Sequence, residues 1–173
     1  MTDSFADGIR IDSIRDGDRV DLTADQGQCD AIAKRLGLGS IDRLEAHATL
    51  ERQGEIVQAK GRLLASLAQT CVVTGEPVPA HVDEPFSLVF VPAPESGGEQ
   101  EVELGPEDCD TVFYDGASID LGSAIADTLA LSLDPYPRCA EADAALKEAG
   151  VTSEEQASPF AALAALKKSL GQP

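Results

Sequence analysis

Cysteine and histidine are the residues of this chain best suited to metal binding or nucleophilic chemistry. A structural zinc site usually draws its ligands from close pairs such as Cys-x-x-Cys. Cys71 is followed at the third position by Thr74, so that pair is absent here. The spacing therefore predicts no metal site and no cofactor. The residues concerned stand far apart in the chain: Cys29, Cys71, Cys109, Cys139, His47 and His81.

Cys71 is the strongest candidate for a reactive thiol, because it stands at a strand end beside the turn Gly75-Glu76-Pro77. No cation nearby in sequence would lower its pKa. The chain also contains no phosphate loop, dinucleotide fingerprint, nucleophile elbow or paired-histidine motif. These observations predict a protein that is not an enzyme. A thiol- or metal-dependent enzyme centred on Cys71 is an alternative.

The net charge of −18 restricts the classes of partner. Between Arg62 and Arg138 the chain carries fourteen acidic residues and no Lys or Arg. Nucleic-acid affinity comes chiefly from Lys and Arg, so this stretch would repel a phosphate backbone. Trp is absent and aromatic residues make up 4%, so a surface of rings for stacking bases would be hard to build. Acidity favours either a basic partner or simple solubility.

The clearest amphipathic helix is predicted over Asp120–Leu133. Asp120 is a good N-cap residue, and Leu121, Ile125, Leu129 and Leu133 recur every four residues. The Asp134-Pro135 step ends the helix, because the residue before proline avoids the α region. Few charges lie on the opposite face, so we expect the helix to pack over a sheet.

Alternation of apolar and polar residues predicts the strands of that sheet. Two short strands, Gly8–Ile11 and Arg19–Leu22, should be joined by a turn at Asp16-Gly17, and a helix with a Thr23/Gln26 capping box should follow over Thr23–Leu36. Three long strands are predicted next. The first begins at Asp42, the second begins after the Gln53-Gly54 turn, and the third includes Val82 and Phe86. The expected fold is α+β, with two main helices and a small C-terminal helix. The antiparallel sheet is twisted, and its strands are long enough to curl toward a barrel.

The domain organisation follows from shifts in composition. Residues 1–138 are predicted to form a single α+β domain, in which 92–110 is a mobile acidic loop and Thr111–Tyr114 a short strand. Residues 139–157 read as a linker, and 158–173 as an amphipathic helix. No secretory signal or membrane-spanning stretch is present, so a cytoplasmic protein without membrane contact is expected.

Five stretches, taken in order, resemble the YceD family of large ribosomal RNA subunit accumulation proteins. The resemblance runs over essentially the whole chain, and the order of the motifs is more specific than any one of them. The stretches are Cys71–Val78, Phe86–Phe90, Ile119–Gly122, Leu131–Arg138 and Ser158–Lys167.

The resemblance implies a cytosolic bacterial protein needed for accumulation of 23S ribosomal RNA, and hence for biogenesis of the large subunit. It supplies no catalytic residues. Many relatives have Cys-x-x-Cys where this chain has Cys71 and Thr74, and further cysteines near the position of Cys139. The resemblance thus makes Cys71 and Cys139 remnants of a metal site whose second cysteine is lost here.

Two mechanisms are compatible with that role. In the first, an adaptor binds a basic ribosomal protein or an assembly factor of the large subunit, so that contact with rRNA is indirect. In the second, the chain binds rRNA directly through Arg52, Lys60 and Arg62. The partner-binding residues predicted for the first mechanism are Glu95, Glu99, Glu101, Glu103, Glu107, Asp108, Phe160, Leu163 and Lys167.

Overall fold

A computed structural model describes residues 5, 8–94 and 110–151 of the chain. No helix in these ranges is long and apolar enough to cross a membrane. The elements, in chain order, are β1 (Ile9–Arg10), a 3-10 turn (Ile11–Ser13), β2 (Asp18–Thr23), α1 (Gln26–Leu36), β3 (Ser40–Gln53), β4 (Ile56–Thr70), β5 (Pro77–Pro92), β6 (Thr111–Tyr114), β7 (Ser118–Ile119), α2 (Leu121–Ser132) and α3 (Ala142–Glu148).

The chain divides into two compact units. The larger unit comprises Met1–Gln69 and Pro79–Pro135, and the smaller unit comprises Thr70–Val78 and Tyr136–Pro173. The larger unit contains a sheet covered by α1 and α2, whose buried side chains share one hydrophobic core with the strands. The smaller unit contains the turn that begins at Cys71 and the helix α3. The predicted α+β class is confirmed.

The main sheet has five strands in the order β2-β3-β4-β5-β6. β3 pairs antiparallel with β4, as the two long alternating segments predict, and it also pairs antiparallel with β2. β6 lies parallel to β5, with Val91 opposite Phe113, so the sheet is mixed. The expectation of a barrel-like, purely antiparallel sheet is wrong. β6 pairs with β5 and forms one edge of the sheet, while β2 forms the other edge. These two edge strands do not pair with each other, so the sheet stays open.

The first predicted hairpin is also wrong. β1 pairs antiparallel with β7 in a separate two-stranded sheet, with Ile9 opposite Ile119. The 3-10 turn over Ile11–Ser13 separates β1 from β2, and β2 instead pairs with β3. Local alternation predicted the strands, but it carries no information on this distant pairing.

Helix α2 forms as its apolar period predicts. The Asp120 side chain accepts a hydrogen bond of 2.9 Å from the Ser123 N–H and caps the first turn. Leu121, Ile125 and Leu129 are fully buried against the sheet. Burial of each such side chain stabilises the fold by about 1.5–3 kcal/mol. α2 therefore anchors the core of the larger unit.

The N-cap residue of helix α1 is Asp25, two residues after the predicted N-cap Thr23. Asp25 accepts from the Gln28 N–H, and the Gln28 side chain accepts from the Asp25 N–H, each at 2.9 Å. The capping box is therefore Asp25/Gln28, and the predicted Thr23/Gln26 box is wrong. Thr23 is still part of β2, where it pairs with Glu45.

Two of the predicted segments lie wholly or mostly outside the described residues. The acidic loop, predicted over 92–110, is described only at its two ends, and the C-terminal helix, predicted over 158–173, is not described. Within the range predicted as a linker, 139–157, the structure places the short helix α3.

Candidate functional site

The acidic and C-terminal residues predicted to bind a partner are not among the residues that the structure describes. Their roles stay predictions. They are Glu95, Glu99, Glu101, Glu103, Glu107, Asp108, Phe160, Leu163 and Lys167.

The three residues of the predicted RNA-binding set do not share one surface. Arg52 lies two residues after the buried Leu50 on β3, so the two side chains leave the strand on the same face. The Arg52 guanidinium donates to the Ile11 carbonyl (2.7 Å) and to the Gly54 carbonyl (2.8 Å). Lys60 and Arg62 point to the solvent face of β4. Arg52 thus supports the fold, while Lys60 and Arg62 lie at the surface.

A row of charged side chains crosses the solvent face of the sheet. Asp21, His47 and Arg62 stand opposite one another on β2, β3 and β4. The Oδ1 of Asp21 lies 2.6 Å from Nδ1 of His47, and Arg62 pairs with Asp83 on β5. Sequence spacing does not indicate the carboxylate beside His47, because the two residues are 26 positions apart. Exposed pairs of this kind typically contribute 1 kcal/mol or less, so the row is a surface feature.

Most described arginines are neutralised by carboxylates of the same chain. Five guanidinium groups form ion pairs with acidic side chains, and that of Arg52 bonds to backbone carbonyls. The chain therefore presents few arginines that could bind phosphate without first breaking a contact. The ion pairs are Arg10–Asp12, Arg35–Asp127, Arg43–Glu45, Arg62–Asp83 and Arg138–Asp143.

A cavity of about 460 Å³ lies between β5 and α2. The hydroxyls of Thr128 and Ser132 in its wall donate to helix carbonyls, and its one acidic residue is Asp110. This lining offers no nucleophile beside a base. The lining residues are Pro85, Phe86, Ser87, Leu88, Asp110, Thr128, Leu131 and Ser132.

The smaller unit brings together two cysteines that are 68 positions apart. Cys71 opens a tight turn in which its N–H donates to the Glu76 carbonyl (2.8 Å) and its carbonyl accepts from the Gly75 N–H (3.0 Å). Gly75 has φ of 77°, a conformation that favours glycine. The Val72 N–H donates to the Pro137 carbonyl (2.9 Å), which holds the turn beside the segment that carries Cys139.

The Cys71 sulfur is surrounded by hydrogen-bond donors. It accepts from the Cys139 N–H at 3.3 Å and from the Thr74 N–H at 3.5 Å. The Thr74 hydroxyl, then the Cys139 N–H, lower the pKa of the Cys71 thiol to about 6, and burial opposes them. No cation among the described residues shifts this pKa, and the prediction from sequence did not consider hydrogen-bond donors. Backbone N–H groups and a hydroxyl stabilise the thiolate, as a neighbouring cation would. These donors meet only in the folded chain, so a search of the sequence for nearby Lys or Arg could not have found them.

The pKa of the Cys139 thiol shifts in the opposite direction to that of Cys71. Its sulfur lies 3.2 Å from Oγ1 of Thr74, and this hydroxyl lowers its pKa. Burial and the hydrogen bond to the Cys71 sulfur outweigh that effect, and the pKa of Cys139 is raised. Close to neutral pH the pair therefore consists of a thiolate at Cys71 and a thiol at Cys139.

The same unit places Glu76, Cys139 and Glu141 with one potential ligand atom each within 4.8 Å of one another. Both carboxylates are exposed, and exposed acidic groups are often close without binding an ion. Thr74 occupies the position at which a second cysteine would complete a Cys-x-x-Cys pair. We assign these groups no ligand role, and the chemistry that the geometry supports is that of thiols.

Comparison with known proteins identifies the family. Neither the curated proteins nor the solved structures contain a match to this chain. The family model described as Large ribosomal RNA subunit accumulation protein YceD matches residues 59–167, which is more than half of the 173 residues. The match includes the Cys71 turn, the parallel pair β5–β6 and the anchoring helix α2. The chain belongs to the YceD family.

Proposed function

We propose that this protein supports 23S rRNA accumulation and biogenesis of the large ribosomal subunit as a non-enzymatic factor. In this role it binds a basic ribosomal protein or an assembly factor, and its contact with rRNA is indirect. Membership of the YceD family supports the biological role. The observation that supports a basic protein as the partner is the pairing of the arginines with the chain's own carboxylates. A cytoplasmic location is part of the same proposal.

The acidic charge is not limited to the predicted loop. The described residues alone contain 21 acidic against 11 basic side chains. The field of such a protein attracts cationic partners and speeds their association. Ribosomal proteins and their assembly factors that carry Lys- and Arg-rich segments are suitable partners on this ground.

Direct binding of rRNA is the alternative, and the structure gives it less support. A phosphate contact by Arg62 would have to replace its pair with Asp83, and Arg52 is engaged with two carbonyls. Lys60 forms no ion pair with any residue in the described ranges. One lysine is a small basis for duplex binding, since several phosphates must normally be neutralised.

An enzyme centred on Cys71 is the second alternative. The Cys71 thiolate is 2% exposed, and its described neighbours are hydrogen-bond donors, with no histidine among them. Acyl or group transfer needs an accessible nucleophile and a base within reach of it. Unchanged function in cells after Cys71→Ser would rule this alternative out.

The decisive genetic test compares two sets of charge reversals in cells that lack the wild-type protein. The loop variant Glu99→Lys, Glu101→Lys, Glu103→Lys should lower the amount of 23S relative to 16S rRNA. The control variant Glu51→Lys, Glu84→Lys, Glu148→Lys changes net charge equally at described, exposed positions and should have little effect. Equal loss with both variants would indicate a general charge effect and would contradict the loop as the binding site.

The alternative has its own variant. Lys60→Glu with Arg62→Glu tests direct rRNA binding without disturbing Arg52, whose replacement would also damage the fold. Normal 23S levels in this variant are expected. A selective fall in 23S rRNA, with the protein still folded, would favour direct binding over the adaptor.

A further inference from the structure

Cys71 and Cys139 are held together by shared neighbours. The Cys139 N–H donates a hydrogen bond of 3.3 Å to the Cys71 sulfur. Thr74 contacts both residues, through its N–H at 3.5 Å from the Cys71 sulfur and its Oγ1 at 3.2 Å from the Cys139 sulfur. Because both sulfur atoms contact Thr74 and the Cys71 sulfur contacts the Cys139 backbone, the two sulfurs are close neighbours within the smaller unit. Neither cysteine forms a disulfide bond in this structure.

We propose that this pair is a site of reversible thiol oxidation, at which a hydroperoxide or a small disulfide converts Cys71 and Cys139 into an intramolecular disulfide. The proposal is independent of the partner assigned above. It rests on the two sulfurs being adjacent and on their unequal exposure.

Exposure assigns the order of events. Cys139 is partly exposed, whereas Cys71 is 2% exposed. A small oxidant therefore meets the Cys139 sulfur first. Cys71 is positioned behind it as the resolving thiolate, with its charge stabilised by the donors around it.

The chemistry balances with hydrogen peroxide as the oxidant. The Cys139 sulfur, having given its proton to the Cys71 thiolate, attacks the peroxide, the O–O bond breaks, and Cys139 becomes a sulfenic acid with release of hydroxide. Cys71, deprotonated again to solvent, attacks the Cys139 sulfur, the S–S bond forms, and the S–O bond breaks with release of hydroxide. One hydroxide takes up the proton that began on Cys139, the other takes up a proton from solvent, and both become water. In sum, one thiolate, one thiol, one solvent proton and one peroxide give one disulfide and two waters.

The third described cysteine lacks these features. Cys29 is 2% exposed on α1 within the core of the larger unit. Burial, followed by the charges of Asp30, Asp25 and Asp42, raises the pKa of its thiol. A buried thiol that holds its proton is a poor nucleophile. Cys29 should therefore stay reduced under conditions that oxidise the pair, and it serves as an internal control.

The experiment uses the purified full-length protein, freed of reductant and treated with a small excess of hydrogen peroxide. After alkylation of the remaining thiols, peptide mass mapping should show a Cys71–Cys139 cross-link, a loss of two hydrogens, and an alkylated Cys29. Dithiothreitol should reverse the change. The Cys109→Ser variant should still form the cross-link, whereas Cys139→Ser should lose it.

Several results would overturn the proposal. One is alkylation of both Cys71 and Cys139 after peroxide treatment, and another is a cross-link that joins either of them to Cys109. A third is a bound equivalent of zinc that prevents oxidation, since the sulfurs would then be metal ligands. The wild-type map alone decides between these results, so the test does not depend on whether Cys71→Ser folds.

A second variant tests Thr74 as the positioning residue. Thr74→Val removes the hydroxyl and keeps the branched shape, and it should slow disulfide formation several-fold. Thr74→Ser retains a hydroxyl and should restore the rate. Equal rates in Thr74→Val and wild type would contradict the role given to this hydroxyl, although the cross-link itself could still form.

Discussion

The Cys71 sulfur shows how one side chain acquires reactivity from its fold. Its donors are the hydroxyl of Thr74 and backbone N–H groups, supplied by its own turn and by a segment 68 positions away. The position of Cys71 at a turn could be predicted from Gly75 and Pro77. The lowered pKa could not, because the second segment adds its N–H only after folding. The same holds for His47, whose carboxylate partner comes from the neighbouring strand.

The first residue-scale prediction concerns ionisation of Cys71. In wild-type protein the ultraviolet absorbance of a thiolate should titrate with a pKa of about 6. Thr74→Val should raise this value, because the hydroxyl that contributes most to the lowered pKa is lost, and Thr74→Ser should leave it nearly unchanged. Cys71→Ser should abolish the titration step. A wild-type titration only near the ordinary value of 9.0 would contradict the assigned hydrogen bonds.

The same shift fixes the pH dependence of stability. Because the folded-state pKa lies below the unfolded value, the unfolded chain binds more protons between about pH 6 and pH 9.0. The contribution of Cys71 to stability is therefore complete above pH 9.0 and is lost as the pH falls through 6. Urea unfolding across this range should show a slope with pH in wild type that is smaller in Cys71→Ser.

Another prediction compares the contributions of Arg52 and Lys60 to the stability of the fold. Arg52→Ala removes two charge-assisted hydrogen bonds to the Ile11 and Gly54 carbonyls and should lower the free energy of unfolding by about 1.5–3 kcal/mol. Lys60→Ala, on the solvent face, should change it by about 0.5 kcal/mol or less. Denaturant unfolding measures both. Equal, small effects would show that Arg52 is not part of the fold's support.

At the scale of elements, periodicity predicted what is local and missed what is distant. The long strands β3, β4 and β5 and the helix α2 follow directly from the spacing of apolar residues. The parallel addition of β6 and the pairing of β1 with β7 join segments far apart in sequence. The spacing of residues does not specify such pairings. A strand has the same apolar–polar alternation whichever strand it pairs with, and whether the pairing is parallel or antiparallel.

Helix α2 gives a prediction with a control on the same helix. Leu129→Ala empties a fully buried position and should destabilise the protein by about 2–5 kcal/mol. Leu131 is 85% exposed, so Leu131→Ala should cost about 0.5 kcal/mol or less. Thermal or denaturant unfolding compares the two. A similar loss in both variants would mean that the buried face of α2 is assigned wrongly.

The pairing of β3 with β4 gives another prediction. Gly61 stands opposite Ala48, and an added Cβ would lie 1.9 Å from the His47 carbonyl oxygen and 2.9 Å from the Ala48 Cα. Because the obstacles are backbone atoms, Gly61→Ala should destabilise the fold by about 3 kcal/mol or more. Gly27→Ala in α1 is the matched control and should be neutral or stabilising by up to about 1 kcal/mol. Native-like stability of Gly61→Ala would contradict the β3–β4 register.

At the scale of the whole molecule, charge is the property that composition predicted best. The net charge of −18 disfavours a broad basic surface, and five arginines of the described residues are paired with carboxylates. The identity of the partner is not encoded in composition, because many basic proteins would satisfy the same electrostatic requirement. A contact of this kind should weaken as salt concentration rises, through screening of the charges.

Binding of a basic protein partner, with only indirect contact to rRNA, can be measured by a pull-down of the tagged protein from its own cells, with and without nuclease. We predict that a basic ribosomal protein or assembly factor of the large subunit is recovered equally in both, is released by salt, and is lost with Glu99→Lys, Glu101→Lys, Glu103→Lys. Recovery of 23S precursor together with proteins that all disappear after nuclease treatment, and that persist in this loop variant, would contradict the adaptor and favour direct binding of rRNA.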